Sequence, residues 1–108
     1  MGLDEIQSAY GVFEDSSLTR IPENLFSGKR LLTDLSYVFS GCSNLEEIPN
    51  GIFDSLVNLK EVDCVFECCK KITTIPDKLF ANCKHITNAS GVFRSTGINH
   101  IPSDIFDG

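Results

Sequence analysis

All eight phenylalanines of this chain stand on one ladder: Phe13, Phe26, Phe39, Phe53, Phe66, Phe80, Phe93 and Phe106, separated by 13 or 14 residues. All four prolines, Pro22, Pro49, Pro76 and Pro102, recur at every second rung, 26 or 27 residues apart. The unit is therefore about 27 residues long and made of two unlike halves. A fixed period of this size marks a small structural unit that cannot bury its apolar face alone and must stack on its neighbours. The expected fold is an α/β repeat solenoid of about four coils, each with short helices and short parallel strands. It forms a single domain over 1–108, with coils at approximately 1–26, 27–53, 54–80 and 81–108.

Each half makes a similar local request. Proline pushes the residue before it toward an extended conformation and suits the first turn of a helix. Leu79, Phe80 and Cys83 then fall at i, i+1 and i+4, on one face of a short helix. In the other half Val38, Phe39 and Cys42 repeat that face, and Ser36, Asp63 and Ser90, three residues before a phenylalanine, are placed to act as N-caps. Ile72-Thr73-Thr74-Ile75 is short, β-branched and stopped by Pro76, which reads as a brief strand.

Polar residues fill the places between the strands' apolar positions. Along one side these are Thr19-Arg20, Glu46-Glu47, Thr73-Thr74 and Asn99-His100; along the other, Thr33-Asp34, Lys60-Glu61 and Thr87-Asn88. Unlike residues shown from a repeated core are what a recognition surface on a repeat scaffold requires. Arg20, Glu46, Glu47, Thr73, Thr74, Asn99 and His100 form the candidate partner surface.

The segments "FSGCSNLEEIP" and "FECCKKITTIP" follow a pattern of Phe-x-x-Cys-x-x-Leu-x-x-Ile-Pro-x-x-Leu-Phe. The pattern resembles the BspA-like class of leucine-rich repeats over nearly the whole chain. That resemblance implies a right-handed, leucine-rich-repeat-like solenoid used for adhesion or partner binding, with no chemistry of its own. It also implies an extracellular, cell-surface or phage-particle setting, because such repeats occur in bacterial, mycoplasmal and protist surface proteins and in phage tail-associated proteins.

Composition narrows the alternatives. Fifteen acidic against nine basic residues give a net charge of −6, which disfavours binding to a phosphate backbone. No apolar run reaches membrane-spanning length, and "MGLDEIQSAY" has neither the basic nor the apolar region of a signal peptide. Cys42, Cys69 and Cys83 each stand three residues after a phenylalanine, an inward position where cysteine acts as a small hydrophobe. Cys64, Cys68 and Cys69 have no second cluster to pair with, so a metal site is not expected; the odd count of five, without disulfide-framework spacing, points to reduced thiols, and Cys68, one place before the inward position, is open to exposure. His85 and His100 lie far apart on outward positions with no nucleophile or carboxylate arranged beside them, and no cofactor motif occurs.

The register also runs through both termini. Leu3, Ile6 and Ala9 match Cys83, Ile86 and Ala89, and Met1-Gly2 stand where Asp107-Gly108 stand. No polar cap is evident. The chain then reads either as a window of a longer array or as a complete molecule whose ends stack on other copies. The expected function is a non-catalytic module binding a protein or glycan. The alternative is a structural segment of a surface or fibre protein that self-associates end to end, and a small acidic inhibitor of a basic site comes third.

Overall fold

The six residues around each phenylalanine need a backbone that no helix supplies. A computed structural model of the protein describes residues 6–106. Turns occupy 10–15, 23–28, 36–41, 50–55, 63–68, 77–82 and 90–95, with phenylalanine fourth in every block. Backbone φ is positive two residues before phenylalanine at Gly11, Tyr37, Gly51, Cys64, Lys78 and Gly91. It is positive two residues after at Asp15, Gly28, Gly41, Cys68 and Ser95. Left-handed residues interrupt an α-helix. The apolar set is therefore carried on successive turns closed by i→i−3 bonds: Val38 N–H to Leu35 O (3.0 Å), Ser40 N–H to Tyr37 O (3.1 Å) and Cys42 N–H to Phe39 O (3.1 Å).

This overturns the expected α/β repeat solenoid with short helices and short parallel strands. The molecule is a compact globule, and among the described residues there is no helix and only 4% strand. Its extents are 37 × 30 × 22 Å and its radius of gyration is 12.7 Å, near the roughly 13 Å of a globular domain this long. All the strand among the described residues is isolated parallel bridging, Ser8 to Asp34, Asp34 to Glu61 and Glu61 to Asn88. Ile72-Thr73-Thr74-Ile75 forms no strand, and Pro76 has no N–H with which to extend a ladder. The register matches drawn for Met1-Gly2, Leu3 and Asp107-Gly108 lie outside the described residues.

The 27-residue period is instead written into backbone bonds, of one polarity in the turn blocks and of the other at the bridged residues, where Thr33, Lys60 and Thr87 N–H donate to Gln7, Thr33 and Lys60 O. In the blocks built on Phe13, Phe39 and Phe66, alternate N–H groups close the local turns while the others reach a carbonyl in the following repeat. Ala9, Gly11, Phe13 and Asp15 donate to Asp34, Ser36, Val38 and Ser40. Leu35, Tyr37, Phe39 and Gly41 donate in the same order to Glu61, Asp63, Val65 and Glu67; Val62, Cys64, Phe66 and Cys68 donate to Asn88, Ser90, Val92 and Arg94. All twelve distances lie between 2.7 and 3.1 Å. Left-handed residues at both flanks of phenylalanine allow this alternation. Gly41, at φ 76°, lies so close to Asp15 that a Cβ there would meet its carboxylate. The proline-led blocks around Phe53 and Phe80 carry one left-handed residue each, and their repeats are tied mainly through side chains. Asn58 Nδ2 donates to Arg30 O (2.8 Å) and Asn82 Nδ2 to Asp54 O (3.2 Å).

The proposed N-caps have no helix to cap. Ser36 Oγ accepts the N–H of Asp63 (3.1 Å), and Asp63 Oδ1 accepts the N–H of Ser90 (2.8 Å), each one repeat on. Polar side chains thus brace the same junctions as the backbone.

The phenylalanines form two columns in contact rather than a single spine. Phe13, Phe39, Phe66 and Phe93 stack with centroids 5.7–6.0 Å apart and planes within 8°. Phe53, Phe80 and Phe106 stack beside them at 5.3 and 5.6 Å, with Phe26 tilted against Phe53. Phe26 meets Phe39 across the columns, and Phe53 meets Phe66. Phe39, Phe53, Phe66 and Phe80 are essentially inaccessible to water. Each such ring contributes about 1.5–3 kcal/mol by burial, and each stacked pair about 0.5–1.5 kcal/mol more.

Candidate functional site

The approach to the first three Ile-Pro steps passes two residues over the surface before the isoleucine turns inward, whereas at the fourth Ile101 stays exposed. Ile21, Ile48 and Ile75 are buried, while Arg20, Glu46, Glu47, Thr73, Thr74, Asn99 and His100 are all exposed. The structure brings two of these together: Arg20 Nη2 lies 4.0 Å from Glu47 Oε1, with both side chains mostly in water. Such an exposed pair is worth about 0–1 kcal/mol. The backbone supports the pairing, since Glu46 N–H donates to Thr19 O at 3.2 Å. Gly97 N–H donates to Ile72 O at 2.9 Å, which sets the approach to Asn99-His100 against the segment carrying Thr73-Thr74. Among the described residues the side chains of Thr73, Thr74, Asn99 and His100 make no hydrogen bond or ion pair. They share a register position.

The relief of this face is shallow. Arg20, Ile21, Glu23, Glu47, Pro49 and Asn50 line a depression of about 240 Å³, below the roughly 300–1,000 Å³ of small-molecule pockets. Two further recesses lie in the first and last repeats. One of about 420 Å³ is lined by Val92, Phe93, Ile101, Ile105 and Phe106, and one of about 220 Å³ by Ile6, Val12, Phe13, Leu25 and Phe26.

The cysteines do structural work. All five are free thiols. The Sγ atoms of Cys42, Cys69 and Cys83 lie 3.2, 3.1 and 3.6 Å from the carbonyl oxygens of Phe13, Phe39 and Phe53, one repeat back. Burial pushes the Cys69 thiol up to about 12, aided by the neighbouring Cys42, and burial pushes Cys83 up to about 11. Neither is a thiolate near neutral pH. Cys64 is buried, and Cys68 is half-buried rather than fully exposed. His85 is exposed on a separate segment from His100. Among the described residues no group of three His, Cys, Asp or Glu side chains could hold a metal ion, and no helix is long and apolar enough to cross a membrane.

One column escaped the sequence reading. At the position after phenylalanine, Ser40 Oγ donates to Glu67 Oε1 (3.4 Å) and Arg94 Nη1 to Glu67 Oε2 (3.2 Å). The signal was present as a 27-residue spacing of polar residues beside the Phe ladder. No family model matches the chain, and no curated protein does either.

Proposed function

We propose that this chain is a non-catalytic binding and adhesion module that recognises a protein or glycan partner through the row Arg20, Glu46-Glu47, Thr73-Thr74 and Asn99-His100. One observation carries the reading: the repeats draw their core from the same residue types and show different ones. Phe, Val, Leu and Ile recur in the core, while the row changes from a cation to two carboxylates, two hydroxyls, and an amide beside an imidazole. A fixed scaffold with varied exposed groups is suited to recognition. The row supplies many hydrogen-bonding groups in shallow relief, which fits sugar hydroxyls or a polar protein surface better than a small apolar ligand needing enclosure. The resemblance to BspA-like repeats supports a cell or phage surface as the setting.

The test is a glycan array together with a panel of surface proteins, read with two variants. Glu46→Ala, Glu47→Ala, Thr73→Ala and Thr74→Ala together should abolish saturable binding. Lys60→Ala with Thr87→Ala, on the bridged side, should leave it unchanged. Equal loss in both variants, or no saturable ligand in either panel, contradicts the reading.

A further inference from the structure

We propose that Asn50 is a self-modifying position, where the side-chain amide is converted to a carboxylate through a cyclic imide closed by the backbone nitrogen of Gly51. The residue lies outside the proposed recognition row, and the inference does not rest on that reading. Of the seven asparagines only Asn50 precedes a glycine; the others precede Leu, Cys, Ala or His. Closure requires the following nitrogen to reach the amide carbon, an attack made efficient by its being intramolecular, and a side chain on the following residue would hinder that approach. The fold itself asks for glycine there. Gly51 has φ 72°, and a Cβ on it would lie 3.0 Å from Asp54 Oδ2, so a side chain is disfavoured by backbone and by space. Gly11 and Gly91 hold the same place before their phenylalanines, but they follow Tyr10 and Ser90, which have no amide to lose.

Both reacting groups are open. Asn50 and Gly51 are exposed, and among the described residues neither the Asn50 amide nor the Gly51 N–H makes a hydrogen bond. Elsewhere the nitrogen is already engaged. The N–H groups that follow Asn24, Asn44, Asn58 and Asn82 each close a local turn, at 2.9–3.2 Å. Asn58 and Asn82 also spend their own amides on Arg30 O and Asp54 O. The step needs no co-reactant except water. Gly51 N bonds to Asn50 Cγ, the Cγ–Nδ2 bond breaks, and Nδ2 leaves as ammonia with the proton that Gly51 N gives up. Water then opens the imide. Attack at Cγ leaves aspartate at position 50, and attack at the backbone carbonyl leaves isoaspartate, with the main chain running through the side-chain carbons. Asn50 lines the depression shared by Arg20, Glu23 and Glu47, so either product adds a carboxylate beside the Arg20–Glu47 pair.

Incubation of the folded chain in mildly alkaline buffer tests this, followed by peptide mapping and enzymatic methylation of isoaspartate. The peptide carrying residue 50 should lose its amide and contain isoaspartate, with ammonia released in equal amount and the protein shifted to the acidic side on ion exchange. Peptides carrying the other asparagines should keep their amides. Asn50→Gln, at an exposed site, should lose the conversion, because the longer side chain must close a larger ring. An Asn50 that keeps its amide overturns the proposal. So does equal conversion at Asn44 or Asn58, an Asn50→Gln variant that converts as fast, or a conversion seen only when the chain is unfolded in urea.

Discussion

At the scale of single residues, the fold depends on who tolerates a left-handed backbone. Five glycines adopt it at no steric cost, but Asp15, Tyr37, Cys64, Cys68, Lys78 and Ser95 also hold it, at about 1–2 kcal/mol each. Lys78 is exposed, so little packing is lost on trimming it. Lys78→Gly is expected to be neutral or stabilising by up to about 1 kcal/mol, and Lys78→Val destabilising by at least about 1 kcal/mol; urea melts of the two variants check this. The buried thiols give a second expectation. Cys69 and Cys83 ionise near 12 and 11 in the folded protein instead of at 9.0. Below pH 9 both states keep the proton and stability is flat. Above it the unfolded chain ionises first, so the thiols' contribution is lost as pH rises toward the folded values. Urea midpoints measured from about pH 8 to about pH 11 should fall, and fall less in Cys69→Ser.

At the scale of the turn block, burial and position separate equivalent phenylalanines. Phe53→Ala, in the centre of its column, should cost about 3–5 kcal/mol, whereas Phe106→Ala, half-exposed at the end, should cost about 1 kcal/mol or less; thermal unfolding of the pair measures the difference. What the sequence revealed and what it hid divide along the same line. The Phe and Pro ladder showed which residues are equivalent and which are buried, because side-chain burial follows hydrophobicity and spacing. It did not show the backbone. Val38, Phe39 and Cys42 at i, i+1 and i+4 fit one helical turn or two linked β-turns equally well, and six-residue helices are poorly nucleated in any case. The deciding signal was Gly11, Gly41 and Gly91 flanking their phenylalanines. Tyr37, Cys64 and Cys68 in corresponding places masked it, since such residues seldom stand at positive φ. The row from Arg20 to His100 was legible as exposed positions, but the Arg20 to Glu47 pairing depended on side-chain reach that spacing alone does not give.

At the scale of the whole molecule, the twelve junction bonds explain how a chain with no helix and almost no strand among its described residues holds a compact shape. Around Phe13, Phe39 and Phe66 local turns consume every second N–H and the others reach the following repeat, while Thr33, Lys60 and Thr87 donate back to Gln7, Thr33 and Lys60. Through-hydrogen-bond scalar couplings on isotopically labelled protein test this arrangement most directly. The account expects correlations from the amides of Tyr37, Phe39 and Gly41 to the carbonyls of Asp63, Val65 and Glu67 one repeat on. Correlations from those amides to carbonyls four residues earlier, the signature of an α-helix, would contradict it.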